Sequence, residues 1–254
     1  MELTFLGTGT SQGIPIIGSD HPVCQSSDPK DKRLRSSAML SWGEYRYIID
    51  CGPDFRAQML HHSVTKIDGI LFTHEHSDHT AGIDDIRPFY FRQGEIDVFT
   101  SKATLASLKR RFDYIFEADN KYPGAPGVSV NEISEKQPFK IGDKWVTPIL
   151  ANHNRIDVLG FRIDNLVYLT DVKFIPKEEF KKLEGVEVLV INALRIESHH
   201  SHLNLEEAVE LAQIIGAKQT YFTHISHMLG FHKEVDHQLP KGINLAYDNL
   251  KITI

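Results

Sequence analysis

The residues most suited to chemistry lie close together. Within Thr73-His74-Glu75-His76-Ser77-Asp78-His79, three histidines and an aspartate occupy six consecutive positions in an H-x-H-x-D-H spacing. Neutral imidazole and carboxylate are borderline donors that suit zinc, manganese or iron. A polar loop that merely happens to hold histidine would not need this fixed spacing. Three further candidates stand alone, each after an apolar run. His153 follows Val146 to Leu150, Asp171 follows Val167-Tyr168-Leu169-Thr170, and His224 follows Thr220-Tyr221-Phe222-Thr223. A lone histidine after a strand is more often structural. Three such residues beside a ligand-rich cluster point instead to one shared rim of a sheet.

The elements that must hold these residues can be read from periodicity and breakers. Ile70-Leu71-Phe72 is a buried strand running into the cluster. Strands are expected at 2–6, 37–42, 46–50, 96–100, 128–133, 144–150, 158–163, 166–170, 186–191, 218–222, 243–246 and 250–254. Helices are expected at 54–62, 101–111, 176–183 and 205–215. The last is well signalled: Asn204 is an N-cap, Glu207 completes a capping box and Gly216 follows the end. Residues 18–36 read as an irregular polar loop with a basic run from Lys30 to Arg35, held by something other than a core. Gly7-Thr8-Gly9-Thr10-Ser11-Gln12-Gly13 reads as a tight turn beneath the metal ligands rather than a phosphate cradle, since no lysine follows. His61 and His62 close a helix, where imidazole favours the C-terminus.

With 254 residues, 41% hydrophobic and 24% charged, the chain has ordinary globular composition, and one domain over 1–254 is expected. A net charge of −6 argues against a broadly basic nucleic-acid binder. Cys24 and Cys51 cannot build a disulfide framework, and the first residues resemble a strand rather than a leader, so a cytoplasmic protein is expected. No apolar run approaches membrane-spanning length.

Taken together, Gly7-Thr8-Gly9-Thr10-Ser11-Gln12-Gly13-Ile14-Pro15, Asp50-Cys51-Gly52-Pro53, His74 to His79, Asp171 and Thr223-His224-Ile225-Ser226-His227 resemble the metallo-β-lactamase superfamily. Within it, the chain is similar to the branch that includes the phosphoribosyl 1,2-cyclic phosphate phosphodiesterase. The resemblance implies an α/β fold, an αββα sandwich of two mixed sheets with helices on the outer faces. It implies two divalent ions, manganese or zinc or iron. His74, His76 and His153 would hold the first, Asp78, His79 and His224 the second, and Asp171 would bridge them. Hydroxide generated between the ions would then attack phosphorus. Asp171 departs from the zinc β-lactamases, which usually have cysteine there, and His76 departs from the flavodiiron oxidases, which place a carboxylate there.

By the same resemblance, His200 aligns with the family's general acid, and His202 is the next candidate. Related enzymes bind a structural zinc through a C-x-C-x-x-C loop and a distant histidine. Here Ser19 and His21 stand at the first two cysteine positions, while Cys24 and His227 are retained. Asp20, His232 or water could complete that set, or the loop could pack without zinc. The function expected is hydrolysis of a small cyclic or nucleotide-like phosphodiester. Arg35, Arg87, Arg195 or the aromatic segment 112–127 would contact substrate. That segment would serve as a lid or as a subunit contact in a homodimer. The alternatives are a tRNA 3′-processing endonuclease, which usually needs a longer RNA-gripping arm, a thioester hydrolase of the glyoxalase type, and a metal-bound scaffold without turnover.

Overall fold

A computed structural model describes residues 1–117 and 122–254. The first half begins as an antiparallel meander. β1 (Glu2–Gly7) is followed by a short α1 (Pro22–Gln25), then β2 (Ser37–Trp42) and β3 (Tyr45–Ile49). The chain then turns parallel, and each parallel step needs a crossover. α2 (Phe55–His61) leads to β4 (Gly69–Leu71), α3 (Ser77–Thr80) and α4 (Arg87–Gln93) lead to β5 (Ile96–Thr100), and α5 (Lys102–Arg111) with α6 (Asp113–Phe116) leads to β6 (Val128–Glu132).

The second half repeats this plan. β7 (Phe139–Ile141), β8 (Lys144–His153), β9 (Ile156–Ile163) and β10 (Leu166–Tyr168) form the antiparallel part. β11 (Val188–Asn192), α7 (Leu205–Ile215), β12 (Gln219–Thr223), α8 (His232–Gln238) and β13 (Ile243–Leu245) form the parallel part. β14 (Lys251–Thr253) returns to β1. The result is two seven-stranded mixed sheets, ordered β14-β1-β2-β3-β4-β5-β6 and β13-β12-β11-β10-β9-β8-β7.

Strands buried on both faces need apolar residues in succession, and Tyr47-Ile48-Ile49 shows why. Tyr47 and Ile49 face the second sheet with Phe5, Leu40, Leu71, Phe161 and Tyr168. Ile48 faces outward to Phe55, Met59, Phe89 and Leu108 of the helical layer. On the second sheet, Leu189, Ile191 and Phe222 face outward to Ala208 and Ala212 of α7. Each fully buried Leu, Ile or Phe contributes about 1.5–3 kcal/mol. These three clusters make the αββα sandwich. α7 carries the capping box between Asn204 and Glu207 and ends at left-handed Gly216.

Several elements differ from expectation. β8 continues to His153 instead of stopping at 150. Residues 177–183 wind as a 3-10 helix in which Glu179 is buried, its carboxylate accepting from Leu150 N at 2.7 Å and pairing with Lys182. β7 is too short for alternation to show, and α8 carries only one buried apolar residue, Val235, so neither announces itself. The 18–36 loop contains α1 and a 3-10 turn at Pro29–Asp31. It is fastened by buried Arg33, which donates to Thr8 Oγ1 (2.7 Å) and Ala246 O (2.6 Å), beside a small cluster of Ile14, Val23 and Cys24. Of the aromatic segment, residues 118–121 lie outside the described residues. Tyr122 and Gly124 are bound to Arg87 of α4.

Two glycines bring the ligand turn against the end of β3. A Cβ on Gly52 would stand 2.0 Å from Asp78 O, and one on Gly82 would stand 2.1 Å from Gly52 O. Gly82→Ala is therefore expected to lower stability by about 1–3 kcal/mol, the usual range for overpacking. A urea midpoint equal to that of the unchanged protein would contradict this packing.

Candidate metal centre

Every expected ligand sits just beyond a strand or at its end, on one rim of the sandwich. The cluster at 74–79 follows β4, His153 ends β8, Asp171 follows β10 and His224 follows β12. The structure gathers them. Ligand atoms of His74, His76 and His153 lie within 4.8 Å of one another, as do those of Asp78, His79 and His224. Asp171 reaches both sides, grouping with His74 and His79 and also with His153 and His202. Asp171 (φ 58°) and His224 (φ 55°) are left-handed, which turns each strand end sharply toward the rim.

Hydrogen bonds fix which imidazole nitrogen faces the centre. Asp50, fully buried, accepts from Thr73 N and Thr73 Oγ1, both at 2.8 Å. Thr73 Oγ1 has spent its proton on Asp50, so its 2.9 Å contact with His74 Nδ1 needs a proton on that nitrogen. His79 Nδ1 donates to Asp50 Oδ2 at 2.7 Å, and His153 Nδ1 donates to Ser201 O at 2.7 Å. All three therefore turn Nε2 inward as a lone pair, the arrangement in which outer partners orient metal-bound histidines. Asp50, Thr73 and Ser201 carry no separate signal in the sequence. Asp50 lies in the stretch Asp50-Cys51-Gly52-Pro53, and its role emerges only from these contacts.

The donor set fits divalent cations. His74 Nε2 and His76 Nδ1 stand 3.0 Å apart, a spacing unfavourable for two lone pairs unless positive charge lies between them. His79 Nε2 and His224 Nε2 each stand 3.2 Å from an Asp171 oxygen, and His224 Nδ1 is buried without a hydrogen-bond partner. Such an orphaned group is costly without a ligand. Burial alone would lower the His79 pKa, yet the carboxylates of Asp171, Asp78 and Asp50 raise it well above the ordinary imidazole range. Burial alone would raise Asp171, yet His224 and His79 hold it well below the ordinary carboxylate range. The carboxylates thus focus demand for positive charge on one point. Two trios sharing Asp171 are where a pair of ions would be held.

The two acid candidates separate clearly. The segment after β11 is bent by Arg195, which donates to Glu197 O (3.2 Å) and Ser198 O (2.8 Å). Ser201 faces inward to bind His153. That geometry turns His200 outward, exposed, against the ring of His199. His202 is the buried residue, its ring stacked on His224 with centroids 4.9 Å apart and its Nδ1 3.8 Å from Asp171 Oδ1. His202 therefore packs directly on the ligand rings, while His200 reaches them through His199.

The residues of the second expected metal site are brought together only in part. His21 and His227 meet edge to face at 4.7 Å, while Cys24 points into the small apolar cluster. Among the described residues, no trio of ligand atoms gathers there. Asp20 is exposed, and His232 Nδ1 accepts from Arg33 Nη2 at 3.0 Å. The arginines expected at substrate are also engaged elsewhere. Arg35 pairs with Asp54, Arg87 with Asp84, and Arg195 with its own loop. The glycine-rich turn braces a ligand from behind, with Thr10 N bonded to Ile225 O and Ile225 N to Thr8 O.

Comparison with known proteins identifies the class. The profile of the β-lactamase superfamily domain matches residues 45–225, and the chain belongs to that superfamily as a metal-dependent hydrolase. Within it, the chain is 38% identical to a solved diphosphatase of the PhnP family, at a TM-score of 0.93, over 100% of this chain and 97% of that one. It is 37% identical to the octanoyltransferase of Porphyromonas gingivalis over all of this chain but only 52% of that protein, about half its length. It is 22% identical to ribonuclease Z of Pyrobaculum aerophilum, over 83% of this chain and 85% of that protein.

Asp50→Asn keeps the shape but removes the charge that orients His79. It is expected to weaken metal affinity by about 10–100-fold. Chelator competition checks this, and unchanged affinity would remove Asp50 from the support of the site.

Proposed function

We propose that this chain is a dinuclear phosphodiesterase acting on a small cyclic or nucleotide-like phosphodiester. The observation that carries the reading is the pair of ligand trios joined by Asp171. Mixed nitrogen and oxygen donors suit zinc, manganese or iron. Divalent cations supply Lewis acidity toward phosphate oxygens and make hydroxide available near neutral pH. The side chains supply the rest. Asp78 and Asp171 hold negative charge at the centre, and Asp50, Thr73 and Ser201 lock the imidazoles in their working tautomers. His202 is the candidate proton carrier for the leaving oxygen. Burial pushes its pKa down to about 2, against the opposing pull of Asp171, so its ring is neutral at rest and would pass to the leaving oxygen a proton taken from the attacking water.

The diphosphatase and ribonuclease Z relatives support phosphoryl-ester chemistry. The net charge of −6 favours a small diester over an RNA substrate.

The test is turnover of bis-p-nitrophenyl phosphate and a panel of cyclic phosphates with manganese or zinc. His202→Ala is expected to lower kcat by about 10²–10⁴ while keeping bound metal, and His200→Ala to stay within about twofold, as befits an exposed side chain. Near-normal turnover by His202→Ala would remove its role. Efficient cleavage of precursor tRNA with inertness toward small diesters would replace the reading with the endonuclease.

A further inference from the structure

The ligand turn is held from two sides, and the two holds serve different ligands. The end of β3 grips the Asp78–His79 end. Cys51 N donates to His79 O at 2.8 Å, Gly82 N donates to Cys51 O at 2.9 Å, and Asp50 binds the His79 ring. The Glu75–His76 end is gripped by Arg111, the last residue of α5. Its Nη2 donates to Glu75 O and to Thr80 Oγ1, both at 2.9 Å, and its Nη1 donates to Ser77 Oγ at 3.4 Å. Thr80 Oγ1 in turn donates to His76 O at 2.7 Å.

His76 needs such a hold more than His74, His79 and His153 do. It is exposed, and among the described residues its ring–ring contacts are with His74 and His153. Where Thr73, Asp50 and Ser201 orient the rings of His74, His79 and His153, His76 is oriented through its backbone. Like most arginines of the chain, Arg111 makes no ion pair among the described residues; what sets it apart is where its donors go. Its guanidinium lies over the Phe112 ring, 5.4 Å from the centroid; Nε donates to Ser107 O of its own helix at 3.5 Å, and the two terminal nitrogens go to a carbonyl and two hydroxyls of the ligand turn. Partly desolvating a cation for neutral acceptors is costly as a stabilising device, but it places a rigid fork where three turn atoms must keep fixed spacing.

We infer that Arg111 is a positioning residue for the His74, His76 and His153 half of the metal centre, setting the affinity of that half through the Glu75 carbonyl and the Thr80 relay. The inference rests on the two-cation reading but not on any substrate. It predicts a selective defect, because the Asp78–His79–His224 half has its own hold from β3.

The experiment titrates metal-depleted full-length protein with zinc against a chelator, resolving two stepwise constants, and measures bound metal directly. Arg111→Ala is expected to weaken one equivalent by about tenfold or more, in the range of orienting partners, with the other within about twofold. Added guanidinium is expected to restore part of the loss. Thr80→Val, which keeps shape and removes the relay hydroxyl, is expected to reproduce the selective loss and carries the test if Arg111→Ala does not fold. Equal weakening of both equivalents, or unchanged constants with only a lower urea midpoint, would make Arg111 a structural residue and overturn the inference. Fewer than two equivalents in the unchanged protein would instead overturn the two-cation reading itself.

Discussion

The buried carboxylate of Asp50 is the interaction on which the rim depends. It is fully buried at the end of β3, in a left-handed conformation (φ 62°), and it binds the backbone and hydroxyl of Thr73 and the ring of His79. Burial raises its pKa, with His79 acting against that rise. A charge in such a place is tolerable only with its partners, so the strand end, the residue before the ligand turn and the residue near its end are tied together. Through Thr73 the same carboxylate reaches His74. One side chain thereby governs an imidazole in each trio.

Around this point the fold solves a crowding problem. Imidazole rings must converge with lone pairs inward, which free side chains would avoid. Short, rigid strands deliver them from different directions: β4 supplies the turn, β8 brings His153, and the left-handed bends after β10 and β12 bring Asp171 and His224. Gly52 and Gly82 let the turn approach the end of β3 more closely than any side chain would permit. Placement on strand ends rather than long loops explains why so many donors meet within a few ångströms.

Much of this was legible from residue types. The H-x-H-x-D-H spacing and single acids or histidines after apolar runs mark ligands because both patterns are local. The capping box of α7 was legible for the same reason. What escaped depended on distant pairings. His153 lies on β8 itself, since β9 extends the ladder past the point where β8's apolar run ends. His200 and His202 carry the same side chain two residues apart, and only the bend imposed by Arg195 and Ser201 separates rim from interior. Cys24, His21 and His227 resemble the zinc loop of related enzymes in spacing, but the buried Arg33 network and small apolar cluster hold that loop without gathering the three ligand atoms. Arg111 is invisible as sequence, being one of three consecutive basic residues at a helix end.

The repeated sheet plan has a thermodynamic consequence. His74, His76, Asp78 and His79 belong to the first sheet's half, and His153, Asp171 and His224 to the second. A cation held by either trio is therefore a further cross-link between halves that also meet through side-chain packing and a few hydrogen bonds, among them Leu159 N to Thr73 O and Ile225 N to Thr8 O. Binding only the folded form, it would add about 2.7 kcal/mol at a concentration one hundred times its dissociation constant. Catalytic cofactor and structural staple would then be one object, with the supply of metal setting how firmly the sandwich stays closed.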